Sequence, residues 1–205
     1  MKNILCKITR DNQYNFITTD GKIISDQWFD WVKNFYNGYA KVKLKDKGFN
    51  LINTDGKLIS EQWYDWVGSF QNGFAEVELD GKRNLINTYG KLISDQWFDY
   101  VGSFYKDFFE VELDGKWNLL TQDGEILSDQ WFDGIGHFYN GFANVRLNSK
   151  SNFLTQDGKI LCDQWFNEVW EFHEGFAHVE LNGKRNLINT EGKLISDQWF
   201  DNIFV

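Results

Sequence analysis

Six Gln-Trp dipeptides run through the chain, with tryptophans at Trp28, Trp63, Trp97, Trp131, Trp165 and Trp199. The first interval is 35 residues and the next four are 34. The glycines Gly21, Gly56, Gly90, Gly124, Gly158 and Gly192 keep the same step. A period of this size means an array of small units, each burying its apolar face on its neighbours. The one extra residue lies between Gly21 and Trp63, and alignment of the copies places it around Asp46-Lys47-Gly48. A turn absorbs it cheaply, because loop-closure entropy grows slowly with length.

A 34-residue step also describes paired-helix repeats, but the residues argue against helices. Apolar positions do not recur at i, i+3, i+4 and i+7; they alternate. Phe74, Val77 and Leu79 belong to one strand, with Glu76 and Glu78 pointing to its other face. Asp80-Gly81 is a hairpin dipeptide, Leu85-Ile86 makes the next strand, Tyr89-Gly90 turns it and Leu92-Ile93 returns. Asn72-Gly73 marks a further turn just before Phe74. The expected fold is all-β, built of tandem antiparallel meanders.

Starting each unit at its Phe-Ala-x-Val-x-Leu strand gives six units filling one repeat domain, residues 1–205. Their approximate bounds are 1–38, 39–73, 74–107, 108–141, 142–175 and 176–205. Both ends are apolar, at Ile4-Leu5-Cys6 and Ile203-Phe204-Val205. The expected architecture is an open solenoid-like array, with a closed six-bladed, propeller-like ring as the alternative.

Charge and composition narrow the function classes. The net charge of −9 opposes nucleic-acid phosphates. No apolar run reaches the roughly 20 residues that span a bilayer, and Met1 to Tyr14 lacks a signal peptide's apolar stretch. A cytoplasmic protein without membrane insertion is expected. Two cysteines, Cys6 and Cys162, give no disulfide framework.

Stacking the six copies separates structural columns from variable ones. The tryptophans, the aromatic that follows each (Phe29, Tyr64, Phe98, Phe132, Phe166, Phe200) and Val32 with its counterparts stay apolar, and are expected in the core. Asn15, Asn50, Asn84, Asn118, Asn152 and Asn186 never vary, as expected of a side chain bonded to backbone at a turn or bulge. The aspartate column (Asp30, Asp65, Asp99, Asp133, Asp201) is interrupted by Asn167, which keeps an acceptor oxygen suited to backbone N–H groups. One carboxylate per unit does not gather the six to eight oxygens that calcium takes.

His137, His173 and His178 fall in columns that change freely, and Cys162 stands where the other copies have serine. No nucleophile elbow, phosphate-binding glycine loop or cysteine–histidine pairing is present. The chain is therefore expected not to be an enzyme, with no catalytic residues, no cofactor and no metal.

The consensus G-K-x-N-L-I-N-T-x-G-K-L-I-S-x-Q-W-F-D-x-V-x-x-F-x-x-G-F-A-x-V-x-L resembles the unit of the WG-repeat family of bacterial proteins. Lys116-Trp117 is similar to that family's lysine-tryptophan-glycine start, with Asn118 in place of the glycine. Phe29-Asp30 is similar to its tyrosine-aspartate pair, and Gly73-Phe74-Ala75 to its closing stretch. The resemblance spans the whole chain. It implies a β-rich tandem repeat and no activity.

One column changes character along the array: Trp31, Trp66, Tyr100, Gly134, Glu168, Asn202. Repeat arrays use such columns as binding surface, and exposed aromatics anchor interfaces. The candidate partner-binding residues are Trp31, Trp66 and Tyr100, with Tyr36, Tyr105 and Tyr139 beside them. Glu76, Glu78, Glu110 and Glu112 are expected to add an acidic patch. The expected function is a non-catalytic module for a protein partner; the alternative is glycan binding, with the aromatics as stacking platforms.

Overall fold

The computed structural model describes residues 5–105 and 107–204, and among these every regular element is a β-strand. The chain divides into two compact units, residues 1–101 and 102–205. The first holds a hairpin of β1 (Leu5–Arg10) and β2 (Gln13–Thr18). Two three-stranded sheets follow: β3 (Trp31–Val32), β4 (Tyr39–Leu44), β5 (Gly48–Asn53), then β6 (Trp66–Val67), β7 (Phe74–Leu79), β8 (Lys82–Asn87). β9 (Tyr100–Tyr105) is the outer strand of a sheet with β10 (Phe108–Leu113) and β11 (Lys116–Thr121). The last two sheets are β12 (Gly134–Ile135), β13 (Phe142–Leu147), β14 (Lys150–Thr155), then β15 (Glu168–Val169), β16 (Phe176–Leu181), β17 (Lys184–Asn189). All recorded pairings are antiparallel. No helix among the described residues is long and apolar enough to cross a membrane.

Local chemistry fixes each hairpin. Asp80-Gly81 and Asn182-Gly183 both have positive φ at the two turn residues, the type I′ geometry that matches strand twist. At β4–β5 three residues, Lys45 to Lys47, separate the paired Leu44 and Gly48, and Lys47 N–H donates to Leu44 C=O at 3.2 Å. The extra residue thus sits where the alignment of copies puts it. Gly48 has φ +100, as a three-residue hairpin loop closing on a left-handed glycine does. The Gly56 column is fixed differently. A Cβ on Gly56 would lie 1.6 Å from Ile24 O, and one on Gly90 1.7 Å from Ile59 O, so consecutive repeats touch backbone to backbone there.

After each hairpin a return segment runs beside the outer strand. Ile52 bridges Leu58 and Phe49 bridges Tyr64, so five residues of the return oppose two of β5. The surplus bows outward, and the Asn50 side chain fills the gap. Its Nδ2 donates to Ser60 O (2.8 Å) and Gln62 O (3.1 Å), while Oδ1 accepts from Leu51 N–H (2.8 Å). Asn15, Asn84, Asn118, Asn152 and Asn186 repeat this arrangement. The expected bulge role of this column is what the structure has.

The return then crosses to the next sheet: Trp66 pairs with Glu78 and Val67 with Val77. The three-stranded sheets therefore straddle the sequence units, four of the five beginning with two residues of the unit before and the β9 sheet with six. Cores form the same way. In the first unit, Phe16, Ile24 and Phe29 pack with Val32, Ala40, Val42 and Ile52 of the following sheet. In the second, Phe153 and Phe166 pack with Phe172, Ala177, Val179 and Ile188. The aromatic after each Gln-Trp is the core residue; the tryptophan itself is half-buried, with Trp63 lying against the first core and Trp199 against the last. Phe166 is 0% exposed and Phe200, in the same column, 40%, because no further hairpin among the described residues packs over it.

Candidate functional site

Cross-strand pairing decides which side chains share a face. Opposed residues in an antiparallel pair point the same way. Ala75 and Val77 of β7 are buried, so Glu76 and Glu78 face outward. Trp66 opposes Glu78, which opposes Arg83, giving an outward row across β6–β7–β8. The equivalent row of the preceding sheet is Trp31, Lys43, Phe49. Trp31 and Trp66 are each 41% exposed.

On the β3–β4–β5 face, Trp31 and Phe49 meet edge to face with ring centroids 6.1 Å apart. The Lys43 Nζ stands 4.7 Å from the Phe49 ring centre. Lys41 reaches toward the next sheet, with Nζ 5.0 Å from the centre of the Trp66 ring. Lys33 lies beside Lys41, its N–H donating to Lys41 C=O at 2.8 Å. Trp31, Lys33, Lys41, Lys43, Phe49 and Trp66 line a cleft of about 540 Å³. Burial, and then the neighbouring Lys33 charge, hold the Lys41 ammonium below its ordinary pKa.

The glutamates are placed differently from a free acidic patch. Arg83 Nη1 lies 2.9 Å from Glu76 Oε1, and Arg83 Nε 3.6 Å from Glu78 Oε2. Burial still raises the Glu76 carboxyl above its ordinary value, with Arg83 opposing that. In the second unit, Glu110 lies 3.1 Å from His137 Nδ1, and Glu112 is half-buried on the same strand face. Each glutamate pair sits in its own sheet with other strands on either side, as like charges require.

Tyr36, 62% exposed, flanks the Asn37-Gly38 turn of the first unit. Tyr100, at the start of β9, is 41% exposed. In the second unit Tyr105 packs on His137 with ring centroids 4.8 Å apart, and Tyr139 on His173 at 5.5 Å. Two histidines, His173 and His178, line one cleft of about 650 Å³ with Trp170, Glu171 and Arg185. Comparing columns one at a time misses this convergence, since it comes from cross-strand neighbours. The His178 and Trp170 rings meet edge to face at 6.3 Å, and the Arg185 guanidinium lies 5.5 Å from the Trp170 ring centre.

The aspartate column has a structural use. Asp65 Oδ2 accepts the N–H of Asp80, and Asp30 that of Lys45, in the turn of the following hairpin. Asp133 bonds Asn148 N–H likewise, and Asn167 Oδ1 bonds Asn182 N–H at 2.9 Å. Asn167 thus keeps the acceptor oxygen for the turn, while Asp99, Asp133 and Asp201 also pair with a lysine. Lys116, and then that N–H, hold the Asp133 carboxyl below its ordinary pKa.

Among solved structures, the chain is similar to the computationally designed Ika8 protein (13% identity, TM-score 0.37, covering 95% of this chain and 74% of that one). It is similar to BamB from Moraxella catarrhalis at 9% identity and TM-score 0.34, covering 95% and 73%. A protein of unknown function from Bacteroides caccae matches at 14% identity and TM-score 0.28, covering 97% and 93%. At these values the likenesses say nothing about function. No curated protein matches. The family model described as "WG containing repeat" matches residues 16–47, 51–82, 85–117, 122–150 and 166–184. With most of its length matched in five successive copies, this chain belongs to the WG containing repeat family.

Proposed function

We propose that this protein is a non-catalytic interaction module that holds a protein partner on the outward face of its repeats. The observation that carries this reading is the pair Trp31 and Trp66, each 41% exposed and lining one cleft with lysines between them. Large rings left half-open on a rigid β-face are the residue type that dominates interface energetics. The core columns supply stability, and the face columns are free to vary. The architecture proposed with this function is an open array of six units, which offers its faces as an extended surface.

The test is capture of partners from native lysate by the purified chain, with Trp31→Ala/Trp66→Ala as the comparison. A retained protein that is lost with the double variant, while the circular dichroism spectrum is unchanged, supports the reading. Equal capture by both proteins overturns it. Retention of glycans on an array, dependent on the same two tryptophans and without protein capture, would replace it with the carbohydrate reading.

A further inference from the structure

The two clefts differ in charge, and the first-unit cleft has a chemistry that the chain's overall acidity conceals. Trp31 on β3 and Lys33 just beyond it stand two apart, and Lys41 and Lys43 two apart on β4; the pairing of Trp31 with Lys43 and Val32 with Val42, with the Lys33 N–H donating to Lys41 C=O, directs them to one face. Among the described residues none of Lys33, Lys41 and Lys43 forms an ion pair, although the chain has 30 Asp and Glu against 21 Lys and Arg. On other faces Arg83 is paired with Glu76 and Glu78, and Arg185 with Glu180. Here three like charges share one cleft, two of them half-buried against the Trp66 and Phe49 rings. Burial and mutual repulsion both disfavour that arrangement with the cleft empty, and an anion lying among the three would relieve both.

We infer that the cleft of Trp31, Lys33, Lys41, Lys43, Phe49 and Trp66 binds an extended acidic peptide segment of a partner protein. The spacing favours this occupant. Lys41 and Lys43 project from alternate positions of a strand, about 6.7 Å apart, and alternate carboxylates of an extended peptide have the same repeat. The rings between and beside the lysines give the peptide's intervening side chains an apolar surface. A nucleic acid fits poorly, because three lysines are a short track on a chain of net charge −9. This inference rests on the proposed function and reverses the sign of the expected partner: carboxylates come to this face, where the glutamates alone suggested cations.

Fluorescence polarisation with the full chain tests it, using a labelled octapeptide of alternating glutamate and valine and its glutamine counterpart as probes. The glutamate peptide is expected to bind saturably and more weakly as salt rises, and the glutamine peptide not to bind. Lys41→Gln/Lys43→Gln is expected to weaken binding about tenfold or more, at an unchanged denaturation midpoint. Should that variant misfold, Lys33→Gln, at an exposed position, reads the same contribution as a loss of a few-fold. Equal binding of the two peptides, undiminished binding by the folded variants, or tighter binding of inorganic polyphosphate than of the glutamate peptide overturns the inference. If Trp31 and Trp66 prove necessary for partner capture while the glutamate peptide fails to bind, the inference falls and the proposed function stands.

Discussion

The sheets β3–β4–β5 and β6–β7–β8 have the same strand lengths but for one turn residue, the same pairing and the same buried positions, yet opposite faces. Inside, Ala40 and Val42 of one correspond to Ala75 and Val77 of the other, all essentially inaccessible. Outside, Lys33, Lys41 and Lys43 of the first correspond to Gly68, Glu76 and Glu78 of the second. The second sheet answers its own glutamates with Arg83, whereas the first puts Phe49 in that position. Folding constrains one face of each strand and leaves the other to chemistry. A repeat protein can thus change its ligand from unit to unit without rewriting its core.

The largest effects should fail to distinguish the two sheets. Asn50→Ala and Asn84→Ala each remove the side chain that spans a bulge, leaving buried backbone groups unpaired, and each should cost about 3–4 kcal/mol. Urea denaturation checks this; a loss below about 1 kcal/mol at either site would mean that the bulge closes without its asparagine. Val42→Ala and Val77→Ala should each cost about 2 kcal/mol, equal to within about 0.5, since both side chains are fully buried in matching cores. A clear inequality would show that the faces feed back on the core.

Changes on the faces should separate the sheets. Arg83→Met leaves two glutamates without their common partner and is expected to cost about 0.5–1 kcal/mol, a small value because the pair is part-exposed. Lys43→Met, by contrast, removes one of three crowded cations and should leave the denaturation midpoint unchanged or raise it. Matching losses at both positions would mean that the lysine face is already neutralised in solution.

The smallest effect is in pH dependence, and its sign differs between Lys41 and Glu76, which share a column. Burial raises the folded-state pKa of Glu76 above 4.5, so the folded protein binds the extra proton and stability falls as pH rises through the window just above that value. Burial and Lys33 lower that of Lys41 below 10.5, so the unfolded chain binds the extra proton and stability rises with pH in the window just below that value. Glu76→Gln should flatten the acid limb of the stability curve and Lys41→Gln the alkaline limb. Denaturation midpoints measured across both windows decide it; slopes that both variants retain would assign the pH dependence to other groups.

The sequence by itself determined everything that repeats. The period, the Asp80-Gly81 and Asn72-Gly73 turns, the loop at Asp46, the invariant asparagines and the alternation along Phe74–Leu79 are all set within a few residues, and comparing six copies exposes them. Tertiary structure decided what depends on partners one strand or one repeat away. It buries Phe29 and Tyr64 fully while leaving the adjacent Trp28 and Trp63 half-open, because only the former point between consecutive sheets. It gives Asp65 to the turn at Asp80, and it joins Glu76 and Glu78 to Arg83, seven and five residues on, through strand register. It also brings Lys41 against Trp66, 25 residues later, a contact that no comparison of single columns contains. The reason is geometric: side-chain alternation is a local property of a strand, whereas the neighbour across a sheet is chosen by turn length and bulge, and these fix charge pairing only once the chain has folded.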